Sequence, residues 1–426
     1  MVKLLSSPLG IVSGGAMIAG RLRANGRGLK HGARACPDTG AAARPRILIL
    51  GKYYHPRPGG IEHVTQVHAE HLARRCSVEA LVNAGRGERA GEERIGGVRV
   101  RRMRTDAVLM SQPLALSLLW MMRPADQDEV HLHAPNPYAA TVLWLKLRAT
   151  PPALRPRLFV IHHADVQGRW LVRLLLRPLY RDLARRAERV VVTSLRNFEM
   201  SRDLPRDVRI GVVAPSVKLD QHAAGEAERA EARAWRLARH GEAPLVGFVG
   251  RHARYKGLHV LIRALAAMPG VRAVVAGEGP CRREAQALAV DLGVADRVDF
   301  LGEISQADKA RLLLAVDVLA FPSTDATEAF GVVQLEAMLL GAPVVASRLP
   351  TGVADVAIDG VTALTCAPGD ADDLARRLMQ VLDDPPLAER LRLRARAHVL
   401  ERFSETLMLA RLDELLGLSP ARETAA

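Results

Sequence analysis

The chain has 426 residues, a hydrophobic content of 49% and a formal net charge of +14. That length allows two or more domains with buried cores, and the charge favours partners that carry negative charge, such as phosphorylated molecules or anionic lipid. The four cysteines are far apart and form no C-x-x-C motif, which argues against a disulfide framework or a zinc site and for a reducing compartment. No apolar run is long enough to span a membrane.

The amino-terminal segment 1–45 differs from the rest of the chain in composition. It holds seven Lys or Arg residues against a single acid, Asp38, and is rich in Gly and Ala. A segment of this composition buries too little apolar surface to offset its conformational entropy. We therefore predict a disordered basic leader at 1–45.

Short apolar segments alternate with helical patterns from residue 46 onward. The predicted strands are 46–51, 78–82, 129–133, 157–163, 189–194, 209–214, 245–250, 272–277, 297–302, 317–323 and 343–347. The predicted helices are 61–75, 170–187, 258–267, 282–291, 306–314, 331–340 and 371–382. Continuously apolar strands that alternate with helices are typical of parallel sheets covered on both faces, so the predicted fold class is α/β and doubly wound.

A polar and charged segment at 218–244 separates two strand-rich halves. We therefore predict a first domain at 46–217, a linker region at 218–244 and a second domain at 245–402. Two such domains leave a cleft between them, and ligands of doubly wound sheets bind beyond the carboxyl ends of the strands. Functional side chains should accordingly follow strand ends.

The first of these strand ends is the glycine-rich stretch GKYYHPRPGGIEHV at 51–64. Gly59 and Gly60 precede a predicted helix, and the free N–H groups at a helix start attract anions. The stretch is not the P-loop pattern G-x-x-x-x-G-K-[ST]. A turn required by Pro56 and Pro58 is the alternative explanation for the glycine pair.

Two later strand ends of the first half carry histidine. His133 ends the strand EVHLH, while His163 and Asp165 stand at the end of VIHHAD. A metal site would need further ligands at helical spacing, as in H-E-x-x-H, and that pattern is absent from the sequence. A single histidine is more often a structural hydrogen-bonding group, but the strand-end position favours a substrate contact for His163.

The second half begins with FVGRHARYKG at 248–257, a strand followed by a basic loop. Arg251 offers a planar fork of donors and Lys256 a mobile point charge, a combination that suits a diphosphate. Gly250 and Gly257 allow the backbone to approach a ligand closely. The alternative is an ordinary basic loop between a strand and a helix.

Two carboxylates eight positions apart mark the stretch EAFGVVQLE at 328–336. Glu336 lies inside a predicted helix with apolar neighbours, where an unpaired carboxylate would be costly, so ligand hydroxyls are candidate partners. Glu328 precedes the helix, whose first N–H groups can meet a phosphate. The alternatives are an exposed acid at a helix start for Glu328 and an ion pair with an Arg for Glu336.

The segment 169–190 has the pattern of a basic amphipathic helix. Its basic residues, which surround an apolar stripe, are Arg169, Arg173, Arg177, Arg181, Arg185, Arg186 and Arg189. Such a helix lies either on anionic lipid or on a sheet with its charges in water, and the pattern favours the second interpretation.

Eight stretches between residues 46 and 405 resemble, in order, the motifs of the retaining glycosyltransferases of family 4. They are GKYYHPRPGGIEHV, VHLHAPNPYAA, HHADV, RVVVTS, FVGRHARYKGLHVLIRAL, VVAGEGP, AFPSTDATEAFGVVQLEAMLLGAPVVAS and APGDADDLARRL. The spacing from Glu328 to Glu336 is the most specific of these features. The resemblance implies the GT-B fold, two Rossmann-like domains facing each other across a cleft, with a helix in 403–426 that returns to the first domain.

The resemblance also implies a donor site for a nucleotide-diphosphate sugar. Arg251 and Lys256 would hold the diphosphate, Glu336 would accept hydrogen bonds from the ribose hydroxyls, and Glu328 would contact the sugar hydroxyls. The implied donor-binding residues are Gly59, Gly60, Arg251, Lys256, Glu328, Phe330, Gly331, Val332 and Glu336.

His163 corresponds in this resemblance to the active-site histidine near the transferred sugar, and His133 and Asp165 fall on the acceptor side. The implied catalytic residues are His163, Glu328, Arg251 and Lys256. No metal and no cofactor are expected, because Arg, Lys and helix starts carry the charge of the leaving group.

The implied activity is transfer of a hexose, with retention, from GDP-mannose or a UDP-sugar to a glycan or lipid-linked acceptor in bacterial surface-polysaccharide synthesis. The expected location is the cytoplasm, with peripheral contact with the anionic inner face of the cytoplasmic membrane. A nucleotide-sugar epimerase or phosphorylase and a non-enzymatic polyanion-binding protein are the alternatives. The chain has only four Trp and five Tyr without basic–aromatic interleaving, so no specific nucleic-acid partner is expected.

Overall fold

The computed structural model describes residues 44–57, 59–85, 87–109, 112–166, 170–218 and 224–418. Residues 1–43 of the predicted leader and the last eight residues lie outside the described residues. Within these ranges, no helix combines the length and the apolar character that a membrane crossing requires. Cys76, Cys281 and Cys366 are free thiols.

The first domain is built on a mostly parallel sheet. Its strands are β1 (Arg46–Leu50), β2 (Ser77–Asn83), β3 (Gly91–Ile95), β4 (Val98–Met103), β7 (Glu129–Ala134), β8 (Arg157–His162), β9 (Arg189–Val192) and β10 (Ile210–Val212). They lie in the order β10-β9-β8-β7-β1-β2-β4-β3, and β3 is antiparallel to β4 at one edge. A separate antiparallel hairpin joins β5 (Ala107–Leu109) to β6 (Gln112–Leu114).

Helices cover both faces of this sheet. They are α1 (Gly60–Ala73), α2 (Leu118–Met121), α3 (Pro137–Ala149), α4 (Trp170–Arg186) and α5 (Leu195–Met200). Local sequence explains two of the starts: the Asn136 side chain accepts from the Ala139 N–H before α3, and Ser194 accepts from the Asn197 N–H before α5.

The second domain has a wholly parallel sheet of six strands. They are β11 (Leu245–Val249), β12 (Arg272–Ala276), β13 (Val298–Gly302), β14 (Val318–Phe321), β15 (Val344–Ser347) and β16 (Leu364–Cys366). Their order is β13-β12-β11-β14-β15-β16, and the central strands are almost fully buried because helices cover both faces.

The helices of the second half begin within the segment that was predicted as a linker. They are α6 (Glu226–His240), α7 (Leu258–Ala266), α8 (Arg282–Asp291), α9 (Gln306–Ala315), α10 (Val332–Leu340), α11 (Val353–Val356), α12 (Ala371–Asp383), α13 (Pro385–Arg402) and α14 (Glu405–Leu416). Helix α6 packs on the second domain, where Arg236 makes two hydrogen bonds to the Asp317 carboxylate at 2.7 and 2.8 Å.

The last helix, α14, packs on the sheet of the first domain. Met408, Leu412 and Leu415 join the apolar cluster that contains strand β1. Asp413 on the same helix accepts from His71 at 2.8 Å and from Arg75 at 2.6 Å, both on or next to α1. The chain therefore crosses back from the second domain to the first.

Each sheet has one position where the strand order changes direction. In the first sheet this switch point lies between β1 and β7, and in the second it lies between β11 and β14. The loops that leave two such neighbouring strands diverge and open a crevice at their carboxyl ends, which is where doubly wound sheets bind ligands.

Candidate active site

At the switch point of the second sheet, the loop after β11 meets the loop after β14. The first loop contains Arg251 and the 3₁₀ turn Arg254–Lys256, and the second leads to Glu328. Gly257 ends the first loop with a φ of 72°, and a side chain at this position would overlap the carbonyl oxygen of Pro322. Glycine is therefore required for the two loops to touch.

Lys256 and Glu328 form an ion pair where these loops meet. Lys256 Nζ lies 2.5 Å from Glu328 Oε2, and the two side chains are only 16% and 8% exposed. The Ser323 hydroxyl donates to the same oxygen at 2.9 Å, and the Thr351 hydroxyl donates to the backbone carbonyl of Glu328 at 2.8 Å. The carboxylate is thus held in place with its charge compensated, and it does not simply repel an incoming anion.

Arg251 lies between the two domains, and its side chain is exposed. Burial is the main reason why the pKa of Lys52 in the first domain is lowered, and the positive charges of Arg57 and Arg251 lower it further. Burial likewise raises the pKa of Tyr255, which also senses the charge of Arg251. The charge of Arg251 thus affects titratable groups of both domains. Positive charges of the first and second domain lie close together in the cleft, as the binding of a diphosphate requires.

The start of α10 forms a third part of this site. Gly331 precedes the helix with a φ of 78°, and a side chain there would strike the ring of Phe321. Among the described residues no side chain caps this helix start, so the N–H groups around Val332 are oriented for a ligand. Phe330 is buried against Phe403, with 5.7 Å between the ring centroids, so its backbone is the part left for ligand contact.

Glu336 faces the first domain from the middle of α10. Its Oε1 lies 2.7 Å from Lys309 Nζ on α9, and the two side chains are 13% and 17% exposed. Lys309 is thus one partner of Glu336, where the sequence suggested an arginine as the alternative. Desolvation lowers the pKa of His63 in the first turn of α1, and the charges of Lys218, Glu405, Glu336 and Lys309 act on it too.

Gly59 and Gly60 lie at the start of α1 and are exposed. A side chain at Gly60 would contact no other atom, whereas one at Gly59 would meet the carboxylate of Glu62. Burial raises the pKa of Glu62, while a hydrogen bond to its own backbone and the charge of Lys52 favour its ionised form. The Glu62 carboxylate therefore occupies the anion-attracting end of α1 in this structure.

Three histidines form a buried cluster at the carboxyl ends of β7 and β8. His133 Nδ1 lies 3.1 Å from His163 Nε2 and 2.9 Å from Thr65 Oγ1, and the rings of His133 and His163 stack 5.2 Å apart. His68 on α1 adds a third ring, 5.8 Å from that of His133. Burial lowers the pKa of His68 and of His163 to about 3, and that of His133 well below its usual range, so the cluster is neutral.

Asp165 is engaged by its own domain. It accepts from His162 Nε2 at 3.2 Å, from the Ser201 hydroxyl at 2.5 Å and from the Arg202 N–H at 2.8 Å. Burial on its own would raise the pKa of this carboxyl, but the three hydrogen bonds outweigh it and lower the pKa to about 2. These bonds fix the loop after β8. A contact between Asp165 and the acceptor substrate stays a prediction.

The sequence did not single out Asn197, which links the two domains. Its Nδ2 donates to the Ala329 carbonyl at 2.9 Å and to Thr193 Oγ1 at 2.7 Å, and its Oδ1 accepts from the Gly352 N–H at 3.0 Å. Ala329 adjoins Glu328, so this amide of the first domain holds the donor loop of the second. No local sequence motif predicts such a contact, because the two partners are 132 and 155 positions away from Asn197.

Lys309 and Lys52 lie beside the predicted site residues, and no motif assigned either a role, although Lys52 belongs to the stretch 51–64. The chain uses Arg for most of its basic positions and has only seven lysines. Their rarity was the available signal, since both lie in the cleft region beside predicted site residues. The structure therefore brings Arg251, Lys256, Glu328 and the start of α10 together, with Glu336 beside them and His163 in the facing domain.

Two family profiles match the chain, one for each domain. The family described as Glycosyl transferases group 1 matches residues 230–398, and Glycosyltransferase Family 4 matches residues 58–221. The two matches divide the chain close to the boundary between the two sheets.

Individual proteins resemble the chain over part or most of its length. It is 30% identical to D-rhamnosyltransferase WbpZ of Pseudomonas aeruginosa over 72% of this chain and 79% of that protein. It is 37% identical to the lipopolysaccharide core biosynthesis glycosyltransferase LpsE of Rhizobium meliloti over 42% of this chain and 51% of that protein. The crystal structure of Anabaena HepE in complex with UDP-glucose superimposes with a TM-score of 0.70 at 21% identity, covering 87% of this chain and 99% of that one.

Proposed function

The chain belongs to the family 4, group 1 glycosyltransferases with the GT-B fold, and from that premise we propose that it moves a hexose, with retention, from a nucleotide-diphosphate sugar to a glycan or lipid-linked acceptor. The proposed donor is GDP-mannose or a UDP-sugar, and the proposed setting is bacterial surface-polysaccharide synthesis. A relative that transfers D-rhamnose and another in lipopolysaccharide core synthesis support this setting.

The observation that carries the proposal is the convergence of positive charge at the second switch point. Arg251, Lys256 and the N–H groups at the start of α10 come together where two loops leave β11 and β14. A diphosphate needs several donors in one place, and preorganised donors in a cleft stabilise the charge that develops as it leaves. The neighbouring Glu336 supplies an acceptor for the ribose hydroxyls of the same donor.

In the proposed reaction the acceptor hydroxyl attacks the anomeric carbon from the face that the diphosphate leaves. The new bond joins the acceptor oxygen to the anomeric carbon, the bond from that carbon to the phosphate oxygen breaks, and the hydroxyl proton passes to the departing phosphate. Arg251 and Lys256 stabilise the negative charge on the leaving group. Glu328 orients the sugar hydroxyls and forms no covalent bond, and His163 contacts the transferred sugar from the first domain.

Thermal unfolding with UDP, GDP and ADP, each at millimolar excess, tests donor binding directly. A nucleotide present at about 100 times its Kd stabilises the folded state by about 2.7 kcal/mol, so one of the three should raise the midpoint clearly. The matching nucleoside without phosphates is the control and should leave the midpoint unchanged. Absence of a shift with all three would overturn the proposed donor site.

Product analysis tests the rest of the proposal. The anomeric configuration of the transferred sugar, read from its one-bond C1–H1 NMR coupling, should equal that of the donor, and inversion would refute retention. Transfer should continue in excess EDTA, because Arg251, Lys256 and the start of α10 carry the leaving-group charge in this scheme. Loss of activity in EDTA that returns with Mg²⁺ or Mn²⁺ would refute the metal-free reaction.

A lipid-linked acceptor would bring the protein to the anionic inner face of the cytoplasmic membrane. The surface that suits this contact is formed by Val108 and Leu109 on β5 and by Leu116, Leu119 and Trp120 at α2, which are 43–65% exposed. A cluster of exposed apolar side chains that includes Trp is typical of a surface that binds at the headgroup boundary. The protein's net charge of +14 favours anionic lipid.

Sedimentation with phosphatidylglycerol vesicles separates this surface from the arginine-rich face of α4. Arg173, Arg177 and Arg181 are half-buried in the structure, so changing all three to Glu should reduce sedimentation less than Leu119→Glu with Trp120→Glu. The apolar contact is refuted if the double variant sediments like the wild type. Phosphatidylcholine vesicles are the control for the contribution of lipid charge.

A further inference from the structure

The cluster around His163 contains a continuous chain of hydrogen-bonding groups that starts in α1. The Thr65 hydroxyl donates to the Ile61 carbonyl at 2.8 Å, Thr65 Oγ1 lies 2.9 Å from His133 Nδ1, and His133 Nδ1 lies 3.1 Å from His163 Nε2. Thr65 and His133 are both 1% exposed, so water does not compete for these groups.

The number of hydrogens in this chain fixes the direction of each bond. The single hydroxyl hydrogen of Thr65 goes to Ile61, so Thr65 Oγ1 accepts, and His133 Nδ1 must carry the hydrogen that it accepts. The same N–H then faces His163 Nε2, which must be the bare, accepting nitrogen. The hydrogen of the neutral His163 ring is consequently on Nδ1.

The opposite arrangement leaves a buried donor without an acceptor. If His163 Nε2 carried the hydrogen, His133 Nδ1 would be bare and the hydrogen of His133 would be on Nε2. That nitrogen is buried and has no partner among the described residues. An unpaired buried N–H is costly, so the packing of the cluster selects the first arrangement.

We propose that Thr65 and His133 are positioning residues that hold His163 in its Nδ1–H tautomer and so make it a hydrogen-bond donor to the transferred sugar. This inference rests on the proposed function, because it requires His163 to contact that sugar. Burial keeps the pKa of both rings low, so His163 acts as a neutral donor at physiological pH. A neutral donor recognises an uncharged hydroxyl without competing with Arg251 and Lys256 for the diphosphate.

The tautomer can be read without any turnover. In long-range proton–nitrogen spectra of protein labelled with ¹⁵N-histidine, bare and protonated ring nitrogens have separate shifts, and the His163→Asn variant identifies the signals of His163. We expect Nδ1 of His163 to be protonated and Nε2 to be bare. Thr65→Val should give a mixture of tautomers, whereas Thr65→Ser should keep the wild-type pattern. A protonated Nε2 in the wild type would overturn the proposal.

Two substitutions of His133 test the effect on catalysis. Asn places its amide near the position of Nδ1, and Gln places its amide near Nε2, so only His133→Asn preserves the donor to His163. We expect His133→Gln to lower kcat roughly tenfold while the donor KM changes by less than about twofold, and His133→Asn to keep most of the activity. Equal losses in both variants would overturn the positioning role.

The two measurements also separate this inference from the proposed function. A wild-type protein that transfers no sugar from any donor would count against the proposed function, while its spectra would still decide the tautomer of His163. Conversely, active protein with the Nε2–H tautomer would refute the inference and leave the transferase assignment intact.

Discussion

The two switch points of this molecule lie opposite each other but differ in electrostatic character. The second domain places full charges there, as the pairs Lys256–Glu328 and Lys309–Glu336. The first domain places neutral rings at the ends of β7 and β8, where burial keeps His133 and His163 uncharged, and its charged Lys52 and Glu62 lie after β1 and in α1. The same architecture, a doubly wound sheet, therefore supports two kinds of site.

The difference matches the two parts of a nucleotide sugar. A diphosphate carries charge that Arg251 and Lys256 can pair with, while Glu328 and Glu336 accept from the sugar and ribose hydroxyls. A sugar carries only hydroxyls, which neutral donors and acceptors recognise at lower desolvation cost than charges do. The division of charge between the domains thus follows from the chemistry of the proposed donor.

The largest effect on activity is expected from removing the charge of Lys256 in the second domain. Lys256→Met removes a donor to the leaving group and should lower kcat/KM by about 10²–10³-fold. It also leaves the Glu328 carboxylate, 8% exposed, without its cation, which should cost about 3–5 kcal/mol of unfolding free energy. Initial rates and urea unfolding measure the two effects separately.

A double variant is the control for this prediction. Lys256→Met combined with Glu328→Gln removes the buried charge and should recover much of the lost stability while activity stays low. Recovery of activity together with stability would mean that Lys256 acts only on the fold, contrary to the proposed role.

The second charged pair should contribute to nucleotide binding. Glu336→Gln loses a charged acceptor for the ribose, and hydrogen bonds to charged groups contribute about 1.5–3 kcal/mol, so the nucleotide Kd should rise roughly 10- to 100-fold in calorimetry. Lys309→Met keeps the carboxylate and should change the Kd by about threefold or less. A larger effect of Lys309→Met than of Glu336→Gln would reverse the assignment of the ribose contact.

The buried neutral histidines of the first domain should make the stability of the protein depend on pH. His68 and His163 have a pKa of about 3 in the folded protein, against about 6.5 in an unfolded chain. Between these values the unfolded chain binds protons that the folded protein does not, so stability is full above pH 6.5 and falls as pH decreases. Each histidine should contribute roughly 2 kcal/mol to the loss between pH 7 and pH 5.

Urea unfolding of His68→Leu at pH 7 and pH 5 checks this expectation. On acidification the variant should lose less stability than the wild type, and the difference should be roughly the 2 kcal/mol expected for one histidine. An identical dependence on pH in both proteins would mean that folding does not lower the pKa of His68.

The smallest effect is expected from removing the hydrogen bonds by which Asn197 links the two domains. Asn197→Ala removes two neutral hydrogen bonds to the loops at Ala329 and Gly352, and kcat/KM should fall roughly fivefold. The control on the same helix is Arg196→Ala, which breaks an exposed ion pair with Asp355 and should have little effect. Equal rates in the two variants would show that Asn197 does not hold the donor loop.

The sequence predicted the fold well where strands are buried. Segments such as RILIL and LVGFV are apolar throughout because helices cover both faces of each sheet, and the predicted two-domain α/β architecture is confirmed. The edge strand β3 and its neighbour β4 were not predicted, because their charged residues break the apolar pattern. In the structure, ion pairs such as Arg99–Glu92 and Arg101–Glu79 join neighbouring strands there.

The sequence allowed candidate site residues to be named, but not the side chains that contact them. Strand ends, glycines and the spacing of two glutamates pointed to Arg251, Lys256 and Glu328, whose roles remain predictions. The partners were not predictable, because Thr65 meets His133 across 68 positions and Lys309 meets Glu336 across 27. Such contacts depend on how the sheets place distant loops together, and no local pattern encodes them.

The most direct test of the division between the two sides is calorimetric titration with a nucleoside diphosphate and its monophosphate. The nucleotide is the one that raises the unfolding midpoint, and the proteins are wild type, Arg251→Ala and His163→Ala. The diphosphate should bind wild type and His163→Ala at least about tenfold more tightly than the monophosphate, and Arg251→Ala should lose this preference. An undiminished preference in Arg251→Ala, or its loss in His163→Ala, would contradict the assignment of charge to the second domain.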